Sequence, residues 1–367
     1  MPLDLTAGVD YDILFGTDQR WQNDSGRRGP LRESGYLSVP NLGLYGQAEV
    51  RARPDLDIVL GLRHETVQYR YQCDQDATRN ASTRLTTLAP KLAVAWRPDR
   101  RSTVYATIGR GADYPVIGEV APLPCGAQNQ SLEPRTLWNY EVGTKWFAGE
   151  RLLLDAALFY ADVTGEFISA LAADGSVVLQ NAGQSRNIGL EFGATWLATS
   201  WLDLIGAYTF SDFRLQQYEA IVLDAAGDSV LTDFGGKLLP AVPQHRVVGE
   251  VRMRPLRWLQ AGMVLEWQGR MFVENGNAVE GVTYSRPAPG QPVQAVPFRA
   301  VPARALAHLN ARATWGPMAL FLSLENVVGT RYVSAITVNS ELGRYYDAGA
   351  GRFLTLGLSL SGWPGGF

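Results

Sequence analysis

Few residues in this chain have the type and spacing for bond chemistry. Three histidines, His64, His245 and His308, stand far apart. His64-Glu65 opens like a helical zinc motif, but Gln68 occupies the position that needs the second histidine. No phosphate-cradling glycine loop and no nucleophile elbow occurs, and His308 has no assignable serine partner. Cys73 and Cys125 form no CxxC pair, so neither a redox motif nor a cysteine metal knuckle is present. No catalytic residue and no metal ligand is therefore assigned. The histidines read as polar or interfacial side chains, and the chain is not read as an enzyme.

The elements that carry these residues are strands. In 187–199 (NIGLEFGATWLAT), Ile188, Leu190, Phe192, Ala194 and Trp196 share one face, while Gly189, Glu191, Gly193 and Thr195 share the other. Alternation of period two marks a strand. The same pattern recurs in 42–50, 56–65, 91–96, 138–146, 258–268, 307–315, 318–326 and 353–360. About fourteen such segments fit the roughly 9–11 residues of a tilted membrane strand.

Short turns near 51–55, 97–102, 147–150, 198–200, 254–257 and 316–317 alternate with long polar stretches. The stretches are 16–41, 72–84, 111–137, 164–186, 215–243, 271–303 and 328–351. Short turns on one side and long loops on the other mark an outer-membrane barrel. Trp96, Trp146, Trp196 and Trp315 each precede a short turn on the apolar face, where an interfacial aromatic girdle belongs. The expected fold is all-β, a transmembrane antiparallel up-and-down barrel. A soluble sandwich or propeller would need shorter strands and would not alternate its loop lengths in this way.

Composition agrees. The 367 residues include 38 glycines for turns and 10 tryptophans for anchors, and only 19% are charged. No stretch approaches the ~20 apolar residues of a membrane helix. Net charge is −3 without basic clusters, so no nucleic-acid partner is expected. The first residues, MPLDLTAGVDYD, show no signal peptide.

Eight segments, in order, carry a resemblance. They are GLYGQAEVRARPDLDIVLGLRHE (43–65), Leu132-Glu133-Pro134 with WNYEVGTKW (138–146), LLLDAALFYADV (152–163), NAGQSRNIGLEF (181–192), GAYTFSDFRL (206–215), LPAVPQHRV (239–247), LENVVGTRYV (324–333) and GRYYDAGAGRFLTLGLSLS (343–361). Together they resemble the TonB-dependent outer-membrane receptors, nearest to the siderophore and ferric-chelate group. The resemblance implies the C-terminal part of a barrel of about 22 strands that is filled by an N-terminal plug. Residues 1–367 are thus expected to be a partial barrel without its plug or energy-coupling segment, which is encoded elsewhere, removed or lost. The final strand ends near Ser361, and Trp363 or Phe367 is the candidate terminal aromatic.

The resemblance implies uptake of a ferric siderophore or similar iron chelate through the bacterial outer membrane. The chelator supplies the iron ligands, so no cofactor is expected. Partners would be the chelate, outer-membrane lipid and, only through the plug segment, the inner-membrane TonB–ExbB–ExbD complex. Candidate ligand contacts in the loops are Tyr114, Arg186, Tyr218, Phe272, Tyr284, Arg344, Tyr345 and Tyr346, because arginine and flat aromatic side chains suit bulky anionic, aromatic chelates. Charges on the polar face, such as Lys145 opposite Asp155, grip a plug or simply line a solvated interior. Cys73 and Cys125 fall in successive loops on one side, so a disulfide, free thiols and a shifted strand count all stay open. A passive channel of about fourteen strands, a non-functional receptor fragment and a purely structural or adhesive barrel are the alternatives.

Overall fold

The computed structural model describes residues 2–120, 125, 131–171, 177–285, 291–338 and 346–361. The chain runs as β1 (Leu3–Asp24), β2 (Arg27–Arg53), β3 (Leu56–Cys73), β4 (Ala81–Trp96), β5 (Ser102–Asp113), β6 (Arg135–Ala148), β7 (Leu152–Leu171), β8 (Val177–Leu197), β9 (Leu202–Gln217), β10 (Glu219–Leu223) and β11 (Ser229–Asp233). It continues as β12 (His245–Leu256), β13 (Leu259–Gln268), β14 (Glu280–Ser285), β15 (Gln294–Arg299), β16 (Arg304–Trp315), β17 (Met318–Glu325), β18 (Val333–Ile336), β19 (Tyr346–Ala348) and β20 (Phe353–Leu360).

Fourteen strands form one sheet in the order β1 to β9, β12, β13, β16, β17, β20. Every neighbouring pair is antiparallel. Directly opposed residues point to the same face, so the register carries each face across the wall. One row runs Leu5, Ala48, Leu60, Leu92, Ile108, Tyr140, Tyr160, Ile188. The adjacent row on the other face includes Glu49, Val59, Ala93, Thr107, Glu141, Phe159 and Gly189. The first face is apolar yet exposed: Leu60, Leu158, Phe192, Leu265 and Leu320 all stand open. In water this would be a fault, whereas in a bilayer it is the lipid-facing band. The polar face is the lumen wall. Among the described residues nothing pairs with the outer edges of β1 and β20, and the barrel is not closed. Open edges do not persist in lipid, so closure requires those two strands to meet or further strands to lie between them.

Trp96, Trp146, Trp196 and Trp315 stand 43–52% exposed at the short-turn end. The girdle is wider than these four. Trp201 and Trp258 follow short turns at the same level, and Trp258 stacks on Trp315 with ring centroids 5.3 Å apart. At the opposite edge of the apolar band, Trp138, Tyr140, Tyr160 and Trp267 form a second aromatic level. Two aromatic levels bracket the membrane band.

Two expected loops are strand instead. Residues 16–41 continue β1 and β2 as a hairpin, and much of 164–186 belongs to β7 and β8. Beyond the lipid the ladder can continue without apolar alternation, so the segment looked like a loop. The stretches 215–243 and 271–303 also hold strands, and β11, β10, β14 and β15 form a separate four-stranded sheet. The buried hydrophobic clusters all lie at this long-loop end. The wall itself has no core, because lipid takes that role.

Candidate functional site

The candidate site is the lumen wall and the mouth above it. Aromatic rings on the wall lie against glycines of the adjacent strand. A Cβ built on Gly8 would fall 2.3 Å from the Tyr45 ring, and one on Gly189 would fall 2.1 Å from Phe159. The same holds for Gly143 under Tyr105 and Gly357 under Phe321. Each pair is directly opposed across the ladder. Glycine is needed there because any side chain would displace the ring.

Ion pairs stitch the wall. Arg63 reaches Asp10 at 2.7 Å and Glu65 at 3.1 Å, and Asn41 donates to Glu65 at 2.8 Å. Near the short turns, Arg97 reaches Asp57 at 2.5 Å and Arg254 reaches Asp203 at 2.6 Å. Asp57 and Asp203 are buried, and a buried carboxylate needs such partners. Lys145 stands opposite Asp155 in register, yet no ion pair joins them among the described residues. The Asp155 carboxylate lies over Gly193 instead.

At the upper wall, Arg135 holds Asp113 and, at 2.9 Å, Glu166, which also accepts from the buried Ser185 hydroxyl at 2.7 Å. Strict alternation would put Glu166 on the outer face. A bulge at Gly165, with φ of +75°, shifts the register so that Thr164 pairs with Gln184 but Glu166 with Gly183. Sequence periodicity missed this cluster for that reason; the one available signal was the glycine inside the strand.

The mouth has two assemblies. In the first, the described parts of the connection between β5 and β6 lie against the lumen wall. Tyr114 hydrogen-bonds the Thr87 hydroxyl at 2.7 Å, and the Tyr69 hydroxyl donates to the Pro115 carbonyl at 2.6 Å. Cys73 and Cys125 are bonded, with Cα atoms 5.3 Å apart. The Cys125 amide donates to the Tyr71 hydroxyl at 2.8 Å, and Arg79 donates to the Cys125 carbonyl at 2.7 Å. The second assembly is the four-stranded loop sheet. Met271, Val273, Val296, Phe298 and Val301 form its core, with Val333 and Ile336 packed on it.

The expected ligand residues are dispersed. Tyr114 belongs to the first assembly, where burial raises its phenol above the ordinary tyrosine range. Tyr218 packs edge-on against Phe234, and burial raises its phenol too. Phe272 is half-buried, and its carbonyl accepts from the Ala241 amide at 2.8 Å. Tyr284 pairs with Leu223 and Ala295 inside the loop sheet. The exposed Tyr346 bonds the Arg299 amide at 2.7 Å and also its carbonyl. Tyr218, Phe272, Tyr284 and Tyr346 thus share the second half of the mouth. Arg186 does not join them: it is in the outward row, opposite Asp162 and Arg214. Arg344, Tyr345, Trp363 and Phe367 lie outside the described residues.

Among the described residues no group of three or more His, Cys, Asp or Glu is arranged to hold a metal ion. His308 Nδ1 accepts from the Asn326 amide at 3.3 Å, and Glu266 is 3.9 Å from its Nε2. Two groups so placed make no metal site.

A lipid-facing band, a polar lumen face and a folded mouth define the wall of an outer-membrane transport barrel. The profile of the family described as TonB dependent receptor-like, beta-barrel matches residues 2–327. The chain belongs to that family, whose members are outer-membrane transporters of Gram-negative bacteria, not enzymes. It is 27% identical over 156 residues to the probable TonB-dependent receptor BfrD of Bordetella pertussis, covering 42% of this chain and 19% of that protein. The ferric-catecholate import receptor Fiu of E. coli K12, in its closed form, superposes with a TM-score of 0.70 at 19% identity. That match covers 98% of this chain and 52% of Fiu. The siderophore receptor PiuA of Acinetobacter baumannii gives a TM-score of 0.72 at 17% identity, covering 98% and 53%. The chain spans about half the length of these solved receptors.

Proposed function

We propose that this wall belongs to a receptor that captures a ferric siderophore or similar iron chelate and passes it inward with inner-membrane energy. The observation that carries this reading is the mouth. A general diffusion channel needs an open entrance, whereas here the connection between β5 and β6 lies on the lumen wall and a separate folded sheet is built from the long connections at the same end. Arginine and tyrosine at such a rim suit a bulky anionic chelate. Tyr218, Phe272, Tyr284 and Tyr346 are the proposed contacts, with Tyr114 on the inner wall below. Energy coupling would pass through a plug held by the lumen face, where the Arg63 and Arg135 clusters offer charges of both signs. The iron would travel inside its chelator, so the wall needs no metal ligand.

The test is uptake of labelled ferric iron, as catecholate, hydroxamate and citrate chelates. Cells lacking their own receptors would express the full-length receptor that contains this wall. Saturable uptake that stops when the inner-membrane proton gradient is dissipated is expected for one chelate class. Non-saturable uptake that survives loss of the gradient would overturn the reading in favour of a passive channel.

A further inference from the structure

The uppermost lumen-facing residues of β12, β13 and β16 stand in one row where these strands meet the mouth. Arg246 opposes Gln268, and Gln268 opposes Arg304. The row continues through Thr209 to Glu191 on the polar face, so all three side chains belong to the lumen set. Two strand spacings separate the arginines, roughly 10 Å at the backbone. Two long side chains that flank one amide can close on a single ligand across that distance.

The row carries two positive charges and no negative one. Arg246 is exposed, and no partner for it occurs among the described residues. Arg304 Nη2 donates to Gln268 Oε1 at 3.0 Å, while its Nη1 is buried without a hydrogen-bond partner. The Tyr332 ring lies 4.2 Å from the same guanidinium and holds its plane. The Gln268 amide nitrogen meets only the Met271 sulfur, 3.6 Å away and a weak acceptor. Other arginines of the wall are neutralised. Arg63, Arg97, Arg135 and Arg254 each hold a carboxylate, and Arg252 holds Glu250 at 2.8 Å. Arg312 also lacks a carboxylate, but it lies near the short turns, opposite Gln260. The carboxylates on neighbouring lumen positions are Glu191, beyond Thr209, and Glu266, which approaches His308 at 3.9 Å. Neither forms an ion pair with Arg246 or Arg304. A buried guanidinium donor left unpaired calls for an anionic acceptor.

We propose that this row is a second ligand station, at the top of the lumen wall beneath the mouth, and that it selects chelates with surplus negative charge. The inference rests on the receptor reading above and adds the charge class of the cargo and the residues that read it. A ferric tricatecholate or ferric citrate presents anionic oxygens to the Arg246 guanidinium, the Gln268 amide and Arg304 Nη1. A ferric trihydroxamate is uncharged and offsets neither guanidinium. The mouth contacts Tyr218, Phe272, Tyr284 and Tyr346 are aromatic, so discrimination by charge falls to the row.

The test titrates the purified full-length receptor with ferric tricatecholate, ferric citrate and a ferric trihydroxamate, and follows binding by tryptophan fluorescence. Arg246→Gln and Arg304→Gln are compared with wild type, each first shown folded by its heat-modifiable gel migration. Wild type is expected to bind an anionic chelate, and each variant to bind it about tenfold more weakly. Any affinity for the trihydroxamate should not change. An anionic chelate held equally well by wild type and both folded variants would overturn the station and leave the receptor reading intact. So would a wild type that binds only the uncharged chelate. If a carboxylate of the plug is the partner instead, the variants expose the plug to trypsin in the chelate-free receptor and weaken every bound chelate alike, which also overturns the proposal. Binding of none of the three chelates by wild type would overturn the receptor reading itself, and this inference with it.

Discussion

The two halves of the mouth reach order by different means. Between β5 and β6, the described residues form no sheet of their own; they lie on the lumen wall and depend on Tyr69, Tyr71 and the Cys73–Cys125 bond. In the second half, β10, β11, β14 and β15 pair with one another, and the fully buried Val273 packs with Met271, Val301 and the β15 residues Val296 and Phe298. A short connection buries too little apolar surface to hold itself, so a covalent tie substitutes for a core. A longer connection can satisfy its own backbone and build a core. The wall needs neither, since lipid covers one face and every strand between its two edges is paired on both sides. The two mouth assemblies should therefore fail independently.

The largest effect expected is from Val273→Asp. It places a carboxylate at 0% exposure among Met271, Phe298 and Val301, which costs about 4–5 kcal/mol locally. Trypsin on intact cells should then cut within 271–303, while the Cys125 region and the heat-modifiable barrel stay intact. Simultaneous cutting of both mouth halves would show that they form one unit.

Cys125→Ser tests the other half. The bridge spans a sequence separation of 52, for which loss of the constraint amounts to about 2–4 kcal/mol. Protease sensitivity should rise near 114–134 and leave the loop sheet unchanged, and a reductant should reproduce it in the wild type. No change under either condition would assign the order of this connection to Tyr69, Tyr71 and Leu132 alone.

The same contrast explains what the sequence made legible. Where lipid faces the strand, alternation is enforced and the faces can be read, as in Ile188 to Trp196. Above the lipid that requirement ends, so 16–41 looked like a loop although it pairs from Thr17 with Tyr36 to Asp24 with Arg27. The loop sheet was hidden for another reason: β10 and β11 are five residues each, too short for a period to show. The Arg135–Glu166–Ser185 cluster depends on one bulge, and alternation assigns Glu166 to the wrong face. Of the mouth residues, type alone suggested Tyr218 and Tyr284. Arg186 shares the parity of the outward Ile188 and Leu190, so extending that alternation by one step already sets it outward; residue type alone pointed the other way.

A smaller effect separates the halves by pH. Burial raises the Tyr114 phenol, an effect its Thr87 hydrogen bond partly offsets. The folded state thus holds that proton to higher pH than the unfolded chain. Its contribution is fully present below the ordinary tyrosine value near ~10 and is lost as pH rises through the folded value. Tyr114→Phe should lessen the loosening of the first half in alkali. Tyr218 is raised by burial in the second half, so Tyr218→Phe should act only there. Crossed effects would merge the two regions.

The smallest effect should come from the ion pair between Arg299 and Glu280, which joins β15 to β14 at 3.0 Å. Both side chains are largely exposed, at 73% and 69%, so water and salt screen the pair and its net worth is about 0–1 kcal/mol. Glu280→Gln should leave protease resistance of the loop sheet nearly unchanged, far above that of Val273→Asp. Arg299→Gln should do the same, because Tyr346 bonds the main chain of Arg299 and not its guanidinium. A large loss from either variant would mean that charge at the rim, and not the apolar core around Val273, orders this half of the mouth. The two halves would then differ less than their cores imply, since the first already relies on Arg79 at its own rim.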